Sequence, residues 1–277
     1  MENIEVLTLV LIIATGLITY KGLKEFAFQQ KYLFNIDEIL IDKKYIRLIS
    51  SGFLHSNWKH FAFNMISLYL FGSGLEGHLG IESYLLIYFV SLVGGNLFAL
   101  YIHRNHGNYS ALGASGAVSG VIFASIGVFP GMEIGLILLP IFFPAWIYAI
   151  AYILYTIYGI TAKKDNIGHE AHLGGAITGL LLAIAINPAI LKTNYLPIAL
   201  TLVPALAFLI LIIKKPHILI INHSFSQAKA TMTIDDKYHD KRISEQEELD
   251  DLLDKVHNKG YEKLSQHEKN RLNELSK

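Results

Sequence analysis

Stretches free of Lys, Arg, Asp and Glu run through residues 6–20, 61–75, 83–103, 105–132, 134–162, 171–191 and 193–213. A helix needs about 20 apolar residues to cross roughly 30 Å of hydrocarbon, and basic side chains near its ends can reach back to water. Five of the stretches have that length, and Lys21 and Lys59 extend the two shorter ones. The pattern predicts seven membrane helices. No Lys or Arg precedes the first and no small-x-small site follows it, so it is expected to stay as a helix rather than leave as a signal peptide. Pro140 and Pro144 leave residues 134–162 room for one helix and an irregular approach, not for two spans. Residues 21–57 place Phe26, Phe28, Tyr32, Phe34, Ile39 and Ile41 among charges and read as an interfacial loop.

The pattern changes after residue 213. Residues 1–213 hold 11 basic and 11 acidic side chains, whereas the last 64 residues hold 12 of each. Three regions are expected: a membrane core over 1–190, an additional transmembrane helix over 191–216, and a soluble charged tail over 217–277. Ser244 with Glu247 and Ser265 with Glu268 are Ser-x-x-Glu capping boxes, each able to start a helix. Leu249, Leu252, Leu253 and Val256 recur at helical spacing, and Lys259-Gly260 offers a stop before Tyr261 and Leu264. A helical hairpin follows, cytosolic or external. Its apolar stripe closes the hairpin in the commoner case and docks an unknown partner in the other.

Composition sharpens this picture. Of 277 residues, 52% are hydrophobic and 17% charged, against about 25% charged in soluble domains. An all-α, multi-pass integral membrane protein of the cell membrane is the expected class, with the lipid bilayer as its solvent. A net charge of zero removes the basic field that nucleic acids require. The absence of cysteine excludes disulfides, thiolate metal sites and a cysteine nucleophile.

Polar side chains at membrane depth are costly, which makes those present candidates for function. In the segment from His55, Ser56 and Asn57 to Asn64, His60 and Asn64 are four apart and share a helix face. An interhelical polar clamp worth about 1 kcal/mol would account for them equally well. In Gly113-Ala114-Ser115-Gly116-Ala117-Val118-Ser119-Gly120, a loop with Arg104, Asn105, His106 and Asn108 turns into an apolar run and puts Ser115 at a helix N-terminus. Unpaired N–H groups and the helix dipole favour negative charge there. Taken alone, such a serine is more often a cap, and the soluble-hydrolase elbow G-x-S-x-G is not met because Ala117 fills its last place. The third cluster opens His169-Glu170-Ala171-His172 and continues to Gly179. Its histidines stand at i and i+3 rather than the zincin i and i+4, with no obvious third ligand, so neither metal nor other cofactor is expected.

The clusters gain weight together. Gly116 with Gly120, and Gly175 with Gly179, form small-xxx-small steps that let membrane helices touch. Ser115 and His172 each begin a helix, and the single span between them brings both in from the same face at equal depth. A serine within reach of an imidazole base is a nucleophile.

These residues resemble the rhomboid family of intramembrane serine proteases, over most of residues 1–190. The family's G-x-S-G box stands here as Gly113-Ala114-Ser115-Gly116, its A-H-x-x-G-x-x-x-G box as Ala171-His172 with Gly175 and Gly179, and its H-x-x-x-N step as His60 and Asn64, in the family's order. The resemblance implies a six-helix bundle, here with a seventh helix and a tail. It makes Ser115 the nucleophile and His172 the general base, with Ser115 N–H, Asn64 and His60 as oxyanion donors. It also gives structural roles to Arg47, His55, Glu76 and Gly120. The implied reaction is cleavage of transmembrane protein substrates through an acyl-enzyme, at small residues in helices that unwind easily. Two positions depart from the family: Ile46 replaces the usual Trp before Arg47, and Ser119 replaces the aromatic that commonly stacks on the catalytic imidazole. Ser119 is then expected to orient His172 by a hydrogen bond, directly or through water.

The family's usual topology puts the dyad outside, yet twelve Lys and Arg flank the dyad's face and only Lys192 the other, which by the positive-inside rule puts it in the cytoplasm. Asn108 and Asn222 begin N-x-S/T sequons. Two other functions make different demands on the sequence. A catalytically inactive rhomboid-like binding protein for membrane clients would not need Ser115, His172, Asn64 and His60 intact, and a proton-relay transporter would need intramembrane carboxylates and an inverted repeat.

Overall fold

The computed structural model describes residues 6–136, 139–162, 167–214, 248–249, 252–253, 255–256 and 261–275. The chain divides into two compact units, Met1–Asn222 and His223–Lys277. Each of the seven apolar runs carries a helix: α1 (Val6–Lys24), α5 (Trp58–Leu79), α6 (Ile81–His103), α7 (Ser115–Val128), α8 (Ala145–Ala162), α9 (His169–Ile186) and α11 (Tyr195–Lys214). Five of them, α1, α6, α8, α9 and α11, are long and apolar enough to cross a membrane, and α7 is a shorter apolar helix. The first unit is thus a mostly helical multi-pass membrane protein.

Its helices are inside-out by the standard of soluble proteins. On α1, Thr8, Thr15 and Thr19 are buried at helical spacing while Ile13 and Leu17 are 62% and 67% exposed. Lipid gives apolar side chains no reason to hide, whereas hydroxyls need internal partners. The buried Glu76 supplies one: its carboxylate accepts from the N–H groups of Leu7 and Thr8 at 2.9 and 2.8 Å and from the Thr8 hydroxyl at 2.7 Å. A negative charge there satisfies orphan donors and complements the α1 dipole.

α6, α7 and α9 form the tightest trio, and glycine is the cause. A Cβ on Gly175 would overlap the Gly116 carbonyl, and one on Gly179 the Gly120 carbonyl. The two expected glycine steps therefore face each other along α7 and α9.

The loop over 21–57 is folded. It contains α2 (Phe26–Tyr32), β1 (Phe34–Asn35), α3 (Ile36–Leu40), α4 (Arg47–Ser50) and a 3₁₀ turn at Ser51–Phe53. Buried Arg47 closes it, donating to the carbonyls of Gln30 and Leu33 at 2.9 and 2.7 Å and to Glu38 at 2.9 Å. Ile46, in the place of the family's Trp, is 60% exposed beside exposed Tyr45 and Ile41, so the loop keeps apolar side chains on its surface. β1 pairs antiparallel with β2 (Ser110–Ala111), joining this loop to the approach to Ser115.

One expectation needs correction. The approach to α8 is an antiparallel hairpin, β3 (Glu133–Leu136) with β4 (Leu139–Pro144), rather than irregular chain. Pro144 sits at the strand end, where its missing N–H costs no ladder bond. A short α10 (Ile190–Thr193) precedes α11, and Asn194 between them donates to the carbonyls of Ile126 and Gly127 at 2.7 and 3.0 Å, capping α7.

In the second unit, Ser265 and Glu268 form the predicted box: Ser265 N–H donates to the carboxylate at 2.8 Å and Glu268 N–H to the Ser265 hydroxyl at 3.3 Å, opening helix Gln266–Leu275. Residues 248, 249, 252, 253, 255 and 256 are helical, and Leu252 and Leu264 are buried. The Ser244–Glu247 box, the Lys259-Gly260 stop and Asn222 lie outside the described residues.

Candidate active site

Ser115 is the first residue of α7, and the turn before it is held by two backbone hydrogen bonds, to Ser51 and His55, with Ser51 itself held by Asn96. Gly113 N–H donates to Ser51 O at 3.0 Å, Ala114 N–H to His55 Nε2 at 3.4 Å, and Asn96 Nδ2 to Ser51 Oγ at 3.2 Å. Gly113 has φ 135°, a conformation that favours glycine. A Cβ there would lie 2.7 Å from His60 Cε1 and 3.8 Å from Ser115 Oγ, so the bare glycine makes room for the His60 imidazole.

The partners of His55 fix its tautomer. The Thr19 hydroxyl donates to Phe53 O at 3.1 Å, so it accepts from His55 Nδ1–H at 2.9 Å, leaving Nε2 to accept from Ala114. Burial, then the nearby His60, pushes His55 down to about 3, so it is neutral at physiological pH.

α5 brings His60 and Asn64 to one face. Asn57 caps this helix, its side chain accepting from His60 N–H at 2.9 Å. Asn64 Nδ2 donates to His60 O at 3.0 Å, which uses one of its two amide protons. His60 Nδ1 lies 3.3 Å from the Ser56 hydroxyl.

His172 is half-buried in the first turns of α9 and lines the same cavity, of about 830 Å³, as Ser115, His60 and Asn64. Ser119 lies one turn into α7, but its hydroxyl has other partners than the imidazole. It donates to Ser115 O at 2.7 Å and pairs with Tyr152 Oη at 2.7 Å. The ring of Tyr152, from α8, lies near-parallel to the His172 imidazole, with centroids 6.1 Å apart and planes at 23°.

A buried pair was missed. His103 Nε2 at the end of α6 lies 3.1 Å from Glu170 Oε1 at the start of α9, both facing the cavity, and Tyr109 stacks on His103 at 3.6 Å. Burial, with the Glu170 charge, pushes the Tyr109 hydroxyl up. The sequence signal was a carboxylate beside an apolar run, which demands a partner. His169, which the sequence pairs with His172, packs edge-on against Tyr155 and beneath Gly159, where a Cβ would overlap it.

Comparison with known proteins adds descent to geometry. Residues 42–189 match the family model described as "Rhomboid domain", and residues 232–277 match a "Family of unknown function (DUF6576)". The chain is 32% identical over 168 residues to "Rhomboid protein 1, mitochondrial" of Saccharomyces cerevisiae, covering 60% of this chain and 48% of that protein. It is 31% identical over 169 residues to "Rhomboid protease AarA" of Providencia stuartii, covering 54% and 59%, and 32% identical over 138 residues to "Presenilin-associated rhomboid-like protein A, mitochondrial" of Danio rerio, covering 48% and 35%. The chain spans about half the length of the first curated relatives it matches. With the family match covering more than half of the chain and the Gly-Ala-Ser-Gly turn, His172 and the His60–Asn64 face meeting in one cavity, the chain belongs to the rhomboid family.

Proposed function

We propose that this protein is an intramembrane serine endopeptidase acting on transmembrane segments of other membrane proteins through a Ser115–His172 dyad. One observation carries the reading: a serine at the N-terminus of an apolar helix shares a polar-lined cavity with a histidine, an imidazole and an amide, and nothing in a purely structural bundle requires that.

In the proposed reaction Ser115 Oγ attacks the scissile carbonyl carbon while its proton passes to His172. The first N–H groups of α7 have no acceptor within the helix, so Ser115 N–H can donate to the oxyanion. The second Asn64 amide proton and the His60 imidazole would join it. His172 then gives its proton to the departing amine as the C–N bond breaks. Water, deprotonated by the same base, hydrolyses the acyl-enzyme and frees Ser115.

The architecture we infer is a six-helix core over 1–190, an additional membrane helix over 191–216 and a tail over 217–277, in the cell membrane. Two of the relatives compared carry "mitochondrial" in their names, and fractionation of the native host separates the alternatives. The functional test is cleavage of a transmembrane reporter peptide in liposomes. Wild type should cut it, and Ser115→Ala and His172→Ala should not. A folded wild type that binds the reporter uncut would instead indicate an inactive binding protein.

A further inference from the structure

We propose that Tyr152 positions the His172 imidazole and that Ser119 holds Tyr152 in place, an inference resting on the protease reading above. The chain lacks an aromatic at position 119, yet an aromatic plane still faces the imidazole, delivered by α8 instead of α7. The centroid separation of 6.1 Å and the 23° tilt fit an offset stack.

The hydroxyl chemistry fixes which way the tether runs. Ser119 has one proton and gives it to the Ser115 carbonyl at 2.7 Å, so at 2.7 Å from Tyr152 Oη it acts as acceptor and the phenol donates. The ring cannot then swing without giving up a buried hydrogen bond. Phe123 and Tyr148 confine it further, with centroids 5.7 and 5.8 Å away. Size complements this arrangement: Ser119 is small enough to leave the imidazole face open to a ring from α8. The chain of contacts links the carbonyl of the nucleophile's own residue to the base through two side chains. Placement of the base therefore depends on α8, a helix that carries none of the expected dyad or oxyanion residues.

The experiment uses full-length protein in detergent, with the rate of fluorophosphonate labelling, the site of the adduct, and kcat and KM on a transmembrane reporter. Tyr152→Leu should slow labelling and lower kcat on the order of 100-fold, the effect of a base displaced by about 1 Å, with KM within about threefold. Tyr152→Phe keeps the ring, frees the tether and should lose only a few-fold. Ser119→Phe added to Tyr152→Leu, returning a ring to the imidazole from α7, should recover roughly tenfold of the lost rate. A folded Tyr152→Leu with wild-type rates would overturn the proposal. So would rate losses that merely follow thermal stability across the variants and are not restored by the double variant. If wild type is not labelled at Ser115, the protease reading falls and this inference with it; labelling at Ser115 that Tyr152→Leu leaves unchanged removes this inference alone.

Discussion

The turn that presents Ser115 and the helix that presents His172 are held by different physics. The serine turn is fixed through its backbone, by directional bonds from Gly113 to Ser51 and from Ala114 to His55, and by the β1–β2 pair just upstream. α9 is fixed by bare backbone contact: Gly175 and Gly179 lie against the carbonyls of Gly116 and Gly120, which set its depth beside α7. The imidazole ring itself is met by the near-parallel ring of Tyr152 at 6.1 Å and, edge-on, by His169 at 6.0 Å. Hydrogen bonds hold a backbone to one geometry, and glycine contacts hold a distance, whereas ring faces restrain more softly. The glycine contact should therefore fail most abruptly when altered, the hydrogen-bonded serine turn next, and the ring packing around the imidazole by degrees.

The strongest way to break the comparison is at the glycine contact. Gly175→Val puts a branched side chain where even a Cβ overlaps backbone, so folded protein should be lost, as read by thermal melting and protease sensitivity in detergent. Recovery of a stable, active Gly175→Val protein would mean that α7 and α9 are not in contact. Next is Asn64→Ala, expected to lower kcat about 100-fold while Ser115→Ala abolishes turnover; equal loss in both would remove the separate oxyanion role.

His55→Ala comes third. Leaving the Ala114 N–H unpaired costs about 1–3 kcal/mol, so the melting temperature and the labelling rate should fall together. The smallest effect is a pH slope. Burial and His60 push native His55 down to about 3, whereas an unfolded histidine titrates near ~6.5. Between these values the unfolded chain binds the proton and the native one does not, so stability falls as pH is lowered through that window. Wild type should lose thermal stability between pH 7 and pH 4 more steeply than His55→Gln; parallel slopes would show that His55 is not a buried neutral acceptor.

Much of this was legible in the chain. The seven apolar runs each carry a helix, because a long uncharged stretch has few other options in lipid. The glycine steps and the Ser265–Glu268 box followed from spacing, and Ser115 and His172 line one cavity. What stayed hidden depends on contacts between distant segments. The β3–β4 hairpin needs a pairing that two prolines argue against locally. The partner of Glu170 lies 67 residues away at His103, and no periodicity links them. Tyr152 is one tyrosine among 15, set apart only when α8 turns it toward His172. Local chemistry at Ser119 suggested a hydroxyl acting on the imidazole; the bonds of that hydroxyl run to Ser115 O and Tyr152 Oη.

The central claim is that Ser115 is an activated nucleophile, and the most direct measurement is mass-spectrometric mapping of a fluorophosphonate adduct on the detergent-purified protein. The account predicts one adduct, on the peptide containing Ser115, lost in both Ser115→Ala and His172→Ala. A folded wild type with no adduct, or an adduct that persists in His172→Ala, would contradict it.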